Sequence, residues 1–80
     1  MTIEQLRAWL RDWVSQATGV AATEILDSTP LENYGLSSRD AVVLSGELEN
    51  LLGTRLDATL AYEYPTIELL ANRLLNEPAG

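Results

Sequence analysis

Apolar side chains at Ile3, Leu6, Leu10, Trp13, Val14 and Ala17 recur at the spacing of one helix face. The pattern predicts a helix over residues 2–17, with these six inward and Trp9 at the edge of the stripe, half exposed. Thr2 followed three residues later by Gln5 has the form of a capping box, and Thr18-Gly19 reads as the stop. A second stripe, Ala41, Leu44, Leu48, Leu51 and Leu52, predicts a helix over residues 38–52. Ser37 stands as its N-cap, Asp40 falls in the first turn where the helix dipole favours an acid, and Gly53 ends it. Gly46, inside this helix, costs up to ~1 kcal/mol relative to Ala. It reads as a point of close approach, by a neighbouring helix or by a partner.

The connection between these helices, residues 18–37, has no clear period. Ile25, Leu26, Leu31, Tyr34 and Leu36 are scattered through it, and Asp27-Ser28-Thr29-Pro30 supplies turn chemistry. A structureless loop of that length is uncommon in a small domain, so its apolar residues are expected to lie over the helices and close the core. Further on, Leu56, Leu60, Ala61, Tyr62 and Tyr64 form a short apolar group that predicts a turn or two of helix around 58–63. Pro65 disfavours helix at Tyr64, and Thr66 caps a last helix over residues 67–75 with Ile67, Leu70, Ala71 and Leu74 inward. The expected fold class is all-α, a small bundle of three main helices plus one short helix. It occupies residues 1–76, and 77–80 are expected to be a tail or the start of a linker.

Composition then removes whole classes of function. Eighty residues hold one domain. Twelve acids against five Arg and no Lys give a net charge of −7, so a nucleic-acid backbone finds no basic footprint and is not an expected partner. The chain has neither Cys nor His. That excludes disulfides, thiol nucleophiles, thiolate or imidazole metal sites and the usual proton shuttle. The absence of Cys fits a cytosolic protein. An apolar fraction of 46% is too high for a disordered acidic tail. No uncharged stretch approaches the roughly 18 residues of a membrane span. Glu4, Arg7, Arg11 and Asp12 interrupt any secretory start, so a membrane is not an expected partner either. A serine nucleophile would lack a His or Lys base, Glu47 and Glu49 do not share a helix face, and no acid spacing matches a calcium loop. The chain is expected not to be an enzyme.

One segment stands out: Tyr34-Gly35-Leu36-Ser37-Ser38-Arg39-Asp40-Ala41. A Gly, an apolar anchor and two hydroxyls run directly into a helix start. By residue type alone this is plain N-capping, with Ser37 the cap and Ser38 the first helical residue. The same geometry also places the Ser38 hydroxyl beside free backbone N–H groups and the positive dipole end, where an attached phosphate is favourably placed.

The run Gly35-Leu36-Ser37-Ser38-Arg39 resembles the prosthetic-group motif of acyl carrier proteins of modular polyketide synthases, a Gly and an apolar residue followed by Asp-Ser-Leu at the second helix. Downstream, Tyr62-Glu63-Tyr64-Pro65-Thr66-Ile67-Glu68-Leu69-Leu70-Ala71 is similar to that family's signature at the final helix. The two motifs, their spacing and the acyl-carrier-protein-like bundle extend the resemblance over nearly the whole chain. Ser37 replaces the usual Asp, and Arg39 the usual Leu or Met. This Ser-Ser-Arg version resembles carrier domains loaded by fatty acyl-adenylate ligases, such as the amino-terminal carrier domain of the mycolic-acid condensing synthase.

The resemblance implies a carrier that holds acyl or polyketide intermediates as a thioester on a 4'-phosphopantetheine arm attached to Ser38 and derived from coenzyme A. The implied partners are a phosphopantetheinyl transferase, an acyl-adenylate ligase or acyltransferase, and a ketosynthase, with the isolated domain a monomer. It also implies a docking strip of Ser37, Arg39, Val43, Gly46 and Glu47, with Asn50 nearby. The alternative for the strip is an ordinary solvated face. Leu44, Leu48, Leu60, Ile67 and Leu70 are expected to be core rather than a groove for the acyl chain. Two alternatives stand beside the acyl carrier: a peptidyl carrier domain of a nonribosomal peptide synthetase, and a helical protein-interaction module without a prosthetic group.

Overall fold

The computed structural model describes residues 1–76. The chain forms α1 (Ile3–Thr18), α2 (Ser38–Leu52), α3 (Leu60–Glu63) and α4 (Ile67–Ala71), which continues as a π-helical segment, Asn72–Asn76. No strand occurs among the described residues, and the all-α bundle expected from the sequence is the observed fold. The stretch 77–80, expected as a tail or linker, lies outside the described residues.

Local chemistry sets the helix limits. Thr2 N donates to Gln5 Oε1 at 2.9 Å and Gln5 N donates to the Thr2 hydroxyl at 3.1 Å, so two of the orphan donors of α1 are satisfied reciprocally. Gly19 ends α1 by donating to Ser15 O, and Gly53 ends α2 by donating to Glu49 O. The Thr66 hydroxyl accepts from Leu69 N at 3.1 Å and starts α4. Pro65 separates α3 from that cap, as its missing N–H and fixed φ require.

The core joins Leu6, Leu10 and Val14 of α1 to Leu44 and Leu48 of α2, Leu60 of α3, and Ile67, Leu70 and Ala71 of α4. The five residues weighed as a possible acyl groove, Leu44, Leu48, Leu60, Ile67 and Leu70, are buried here. Ile3 and Trp13 are only half-buried, and Ala17, expected inward, is exposed. Ala17 lines an open cleft beside the end of α1 and stays exposed there. The expected single helix over 67–75 changes register after Ala71. The wider π turn carries the adjacent Leu74 and Leu75 against the core together.

The long connection does close the core, in part. It contains two 3₁₀ turns, Ala22–Glu24 and Leu31–Tyr34, and buries Ile25 and Leu31. Leu26 departs from expectation and is 60% exposed. Ile25 is extended, so successive side chains point to opposite sides and only one of the two can face inward. Backbone bonds pin the connection to the start of α4 and the proline before its cap: Glu68 N to Asp27 O at 2.9 Å and Leu31 N to Pro65 O at 2.8 Å. The Asp27 carboxylate also meets Arg11 Nη1 at 2.5 Å and Arg7 Nη1 at 3.7 Å, tying the connection to α1. The Tyr34 hydroxyl accepts from Leu26 N at 2.7 Å.

Of the two readings of Gly46, the structure removes one. A Cβ there would meet nothing within 4 Å, so no neighbouring helix approaches it closely.

Leu10 is fully buried. Leu10→Ala is expected to cost about 2–5 kcal/mol, a large fraction of the stability of so small a domain. Leu26→Ala should stay within about 0.5 kcal/mol of the parent. Urea denaturation of the two variants checks both values.

Candidate functional site

The turn that leads into α2 is built from the backbone outward. Gly35 adopts φ 90°, a left-handed conformation that a side chain would strain, and its N–H donates to Glu32 O at 3.0 Å. Leu36 then packs half-buried against the core and anchors the turn. Ser37 is extended and caps the helix.

The two serines have different surroundings. The Ser37 hydroxyl accepts from Asp40 N at 3.2 Å and donates to Asp40 Oδ2 at 3.1 Å. Ser37 N donates to the same carboxylate oxygen at 3.1 Å. Asp40 thus completes a capping box, beyond the dipole role read from its position. Ser38, the first residue of α2, is exposed, and its hydroxyl has no hydrogen-bond partner among the described residues. It sits where the first turn of a 15-residue helix leaves backbone N–H groups unpaired and the dipole positive.

A groove of about 450 Å³ opens beside it. Its walls include Leu31 and Leu36 of the connection, Ala41 and Leu44 of α2, and Ala61 and Tyr62 of α3, with Ser37 and Ser38 along it. The sequence reading did not identify this groove. Of its apolar lining, only Leu44 was among the residues weighed for one. The groove is made by the connection and α3 lying across the start of α2, and no local spacing signals that.

Along α2, Arg39, Val43, Glu47 and Asn50 are exposed and Gly46 is partly so. Arg39 makes no ion pair among the described residues. Val43 is 49% exposed. Two neighbours were missed: Val42, 51% exposed, and Tyr62, 56% exposed. The Val42-Val43 pair could have been noticed, since both fall off the buried stripe. Glu47 is engaged within the chain, since its carboxylate accepts from Trp13 Nε1.

Residues 8–74 match the family described as "Phosphopantetheine attachment site". The chain belongs to that family. This carrier domain is 46% identical over 66 residues to one component of the phenolphthiocerol/phthiocerol polyketide synthase of Mycobacterium tuberculosis. The match covers 82% of the chain but only 4% of that much larger protein. A free-standing peptidyl carrier protein from Acinetobacter baumannii superposes with a TM-score of 0.85 at 34% identity, over 92% of each chain. An acyl carrier protein from Anabaena sp. PCC 7120 with a variant phosphopantetheinylation-site sequence gives 0.82 at 38% identity, over 91% of this chain and 83% of that one.

The carrier function expected from the sequence is therefore borne out, and the armless interaction module gives way to it. Members of the family carry a covalently attached 4'-phosphopantetheine and are generally non-catalytic, and carrier domains of polyketide synthases work with partner synthase enzymes. The residues at the start of α2 fit such a group: an exposed, unpaired hydroxyl, unpaired helix N–H groups, and an apolar groove alongside. No helix among the described residues is long and apolar enough to cross a membrane.

The capping arrangement makes the two serines separable by stability. Ser37→Ala removes the cap and should cost about 1 kcal/mol, whereas Ser38→Ala should stay within about 0.5 kcal/mol. Urea midpoints of the two variants provide the check.

Proposed function

We propose that Ser38 Oγ is the attachment point of the phosphopantetheine arm, and that the domain, residues 1–76, carries acyl or polyketide intermediates. The observation that carries this reading is the contrast between the serines. Ser37 Oγ is held on both sides by Asp40, and esterifying it would dismantle the cap of α2. Ser38 Oγ has no such commitment and can be esterified with the helix intact. When attached, the group supplies a thiol that holds the acyl chain as a thioester. The chain's own part is to present Ser38 at an exposed helix tip, to offer unpaired N–H groups to the phosphate, and to leave the hydroxyl's deprotonation to another enzyme. It has no His, Lys or Cys with which to perform that step itself.

The partners in this reading are a phosphopantetheinyl transferase, an acyl-adenylate ligase or acyltransferase, and a ketosynthase, met by a monomeric, non-catalytic, cytosolic domain. The net charge of −7 favours encounter with basic surfaces and raises on-rate more than affinity. The strip of Ser37, Arg39, Val43, Gly46 and Glu47 is the proposed docking face. The likeness to a polyketide synthase supports the acyl cargo. Ser37-Ser38-Arg39 is read as a variant attachment sequence of the kind loaded by fatty acyl-adenylate ligases, as in the carrier domain of the mycolic-acid condensing synthase. The unpaired Arg39 guanidinium next to Ser38 supports that choice, because it can meet the arm's phosphate or an acid on a dedicated ligase. A peptidyl cargo is the second reading, carried by the likeness to the Acinetobacter peptidyl carrier protein.

Incubation with coenzyme A, magnesium and a broad-specificity phosphopantetheinyl transferase, followed by intact-mass measurement, tests the attachment. Wild type and Ser37→Ala should each gain one phosphopantetheine, and Ser38→Ala none. Modification of Ser38→Ala, or no modification of wild type, defeats the assignment.

Arg39→Leu is expected to change which ligase loads the holo-protein most rapidly. Equal loading rates across a panel of ligases, before and after the substitution, would remove Arg39 from the recognition.

A further inference from the structure

A second cavity, of about 480 Å³, opens between α1 and α2, away from the Ser38 groove. Its lining is Trp9, Asp12, Trp13, Gln16, Ala17 and Glu47. Two indoles four residues apart share one face of α1, and two carboxylates stand among them. We propose that this cleft receives an arginine side chain from a partner protein, seated against the indoles and paired with Asp12 and Glu47.

The chemistry of the walls selects that occupant. Aromatic faces attract cations, and a planar guanidinium stacks on an indole while its edge donates to carboxylates. Trp13 donates its Nε1–H to Glu47. That bond joins the α1 and α2 walls of the cleft. Glu47 Oε1 and both Asp12 oxygens have no partner among the described residues. Both acids line the same cavity, in a chain of net charge −7, so its charge is complementary to a cation.

None of the chain's own cations answers this need. Arg7 and Arg11 hold Asp27, Arg73 lies over the Tyr64 ring at 5.8 Å, and Arg39 and Arg55 do not line the cleft. The volume falls within the usual range of about 300–1,000 Å³ for binding clefts. Glu47 lies about 13 Å along α2 from Ser38 at the rise of an α-helix, so one partner surface can reach both. The inference rests on the carrier reading only for the kind of partner. The cleft shares Glu47 with the proposed docking strip but does not include Ser38, so arginine binding and attachment at Ser38 fail separately.

The test uses the intact chain and Nα-acetyl-arginine amide, with the uncharged citrulline analogue as control, followed by the indole N–H signals in two-dimensional NMR. Arginine should shift both indole signals saturably and citrulline should not. Added salt should weaken the effect. Asp12→Asn leaves the Trp13–Glu47 bond in place and should weaken binding severalfold. Trp9→Leu should weaken it about two- to fivefold. The remaining amide signals report whether each variant is folded. Equal shifts from citrulline, shifts that never saturate, or affinity unchanged in both folded variants would overturn the proposal.

Discussion

Ser37 and Asp40 exchange hydrogen bonds across the first turn of α2, and the start of that helix is arranged around the exchange. Four backbone N–H groups at a helix start have no partner within the helix, and something must satisfy them or leave them to water. The Ser37 cap answers part of that need and so determines where the helix begins. Beginning there, α2 puts Ser38 in its first turn, exposed and uncommitted, beside the remaining unpaired N–H groups and the positive end of the dipole. No acid stands directly before Ser38. Here the acid stands at Asp40, where it serves the cap, and a cation stands at Arg39.

A tip is useful only if it is held still, and the connection before it has little regular structure. It is held by a few long-range bonds. Asp27 takes two arginines of α1 with its side chain and the Glu68 N–H with its carbonyl, and Leu31 N bonds to Pro65 O. Each partly exposed ion pair contributes at most about 1 kcal/mol. The burial of Ile25 and Leu31 contributes more, about 1.5–3 kcal/mol per side chain. The same arrangement lays Leu31 and Leu36 beside α2 and α3 and so creates the groove next to Ser38. Closing the core and shaping the site are one event in this fold.

The surface has two proposed recognition features with different physics. Along α2, Arg39 and the exposed Val42 and Val43 offer a cation and an apolar contact within about a turn and a half of Ser38. Between α1 and α2, two indoles and two carboxylates form a concave, anionic cleft. A partner that matches one feature need not match the other, and a partner that spans both would be selected twice over.

What the sequence determined by itself is what depends on neighbours three or four residues apart. The limits of α1 and α2, the Thr2 and Ser37 caps, the Leu6-Leu10-Val14 stripe and the position of Ser38 are of this kind, because capping and helical periodicity are short-range. The tertiary structure alone decided the rest. It exposed Ala17 and Leu26, left open space around Gly46, joined Glu47 to Trp13, and widened the last helix so that Leu74 and Leu75 both pack. It also assembled the groove from three separate segments. Each of these outcomes depends on which surface lies opposite a residue, and that surface comes from chain far away in sequence.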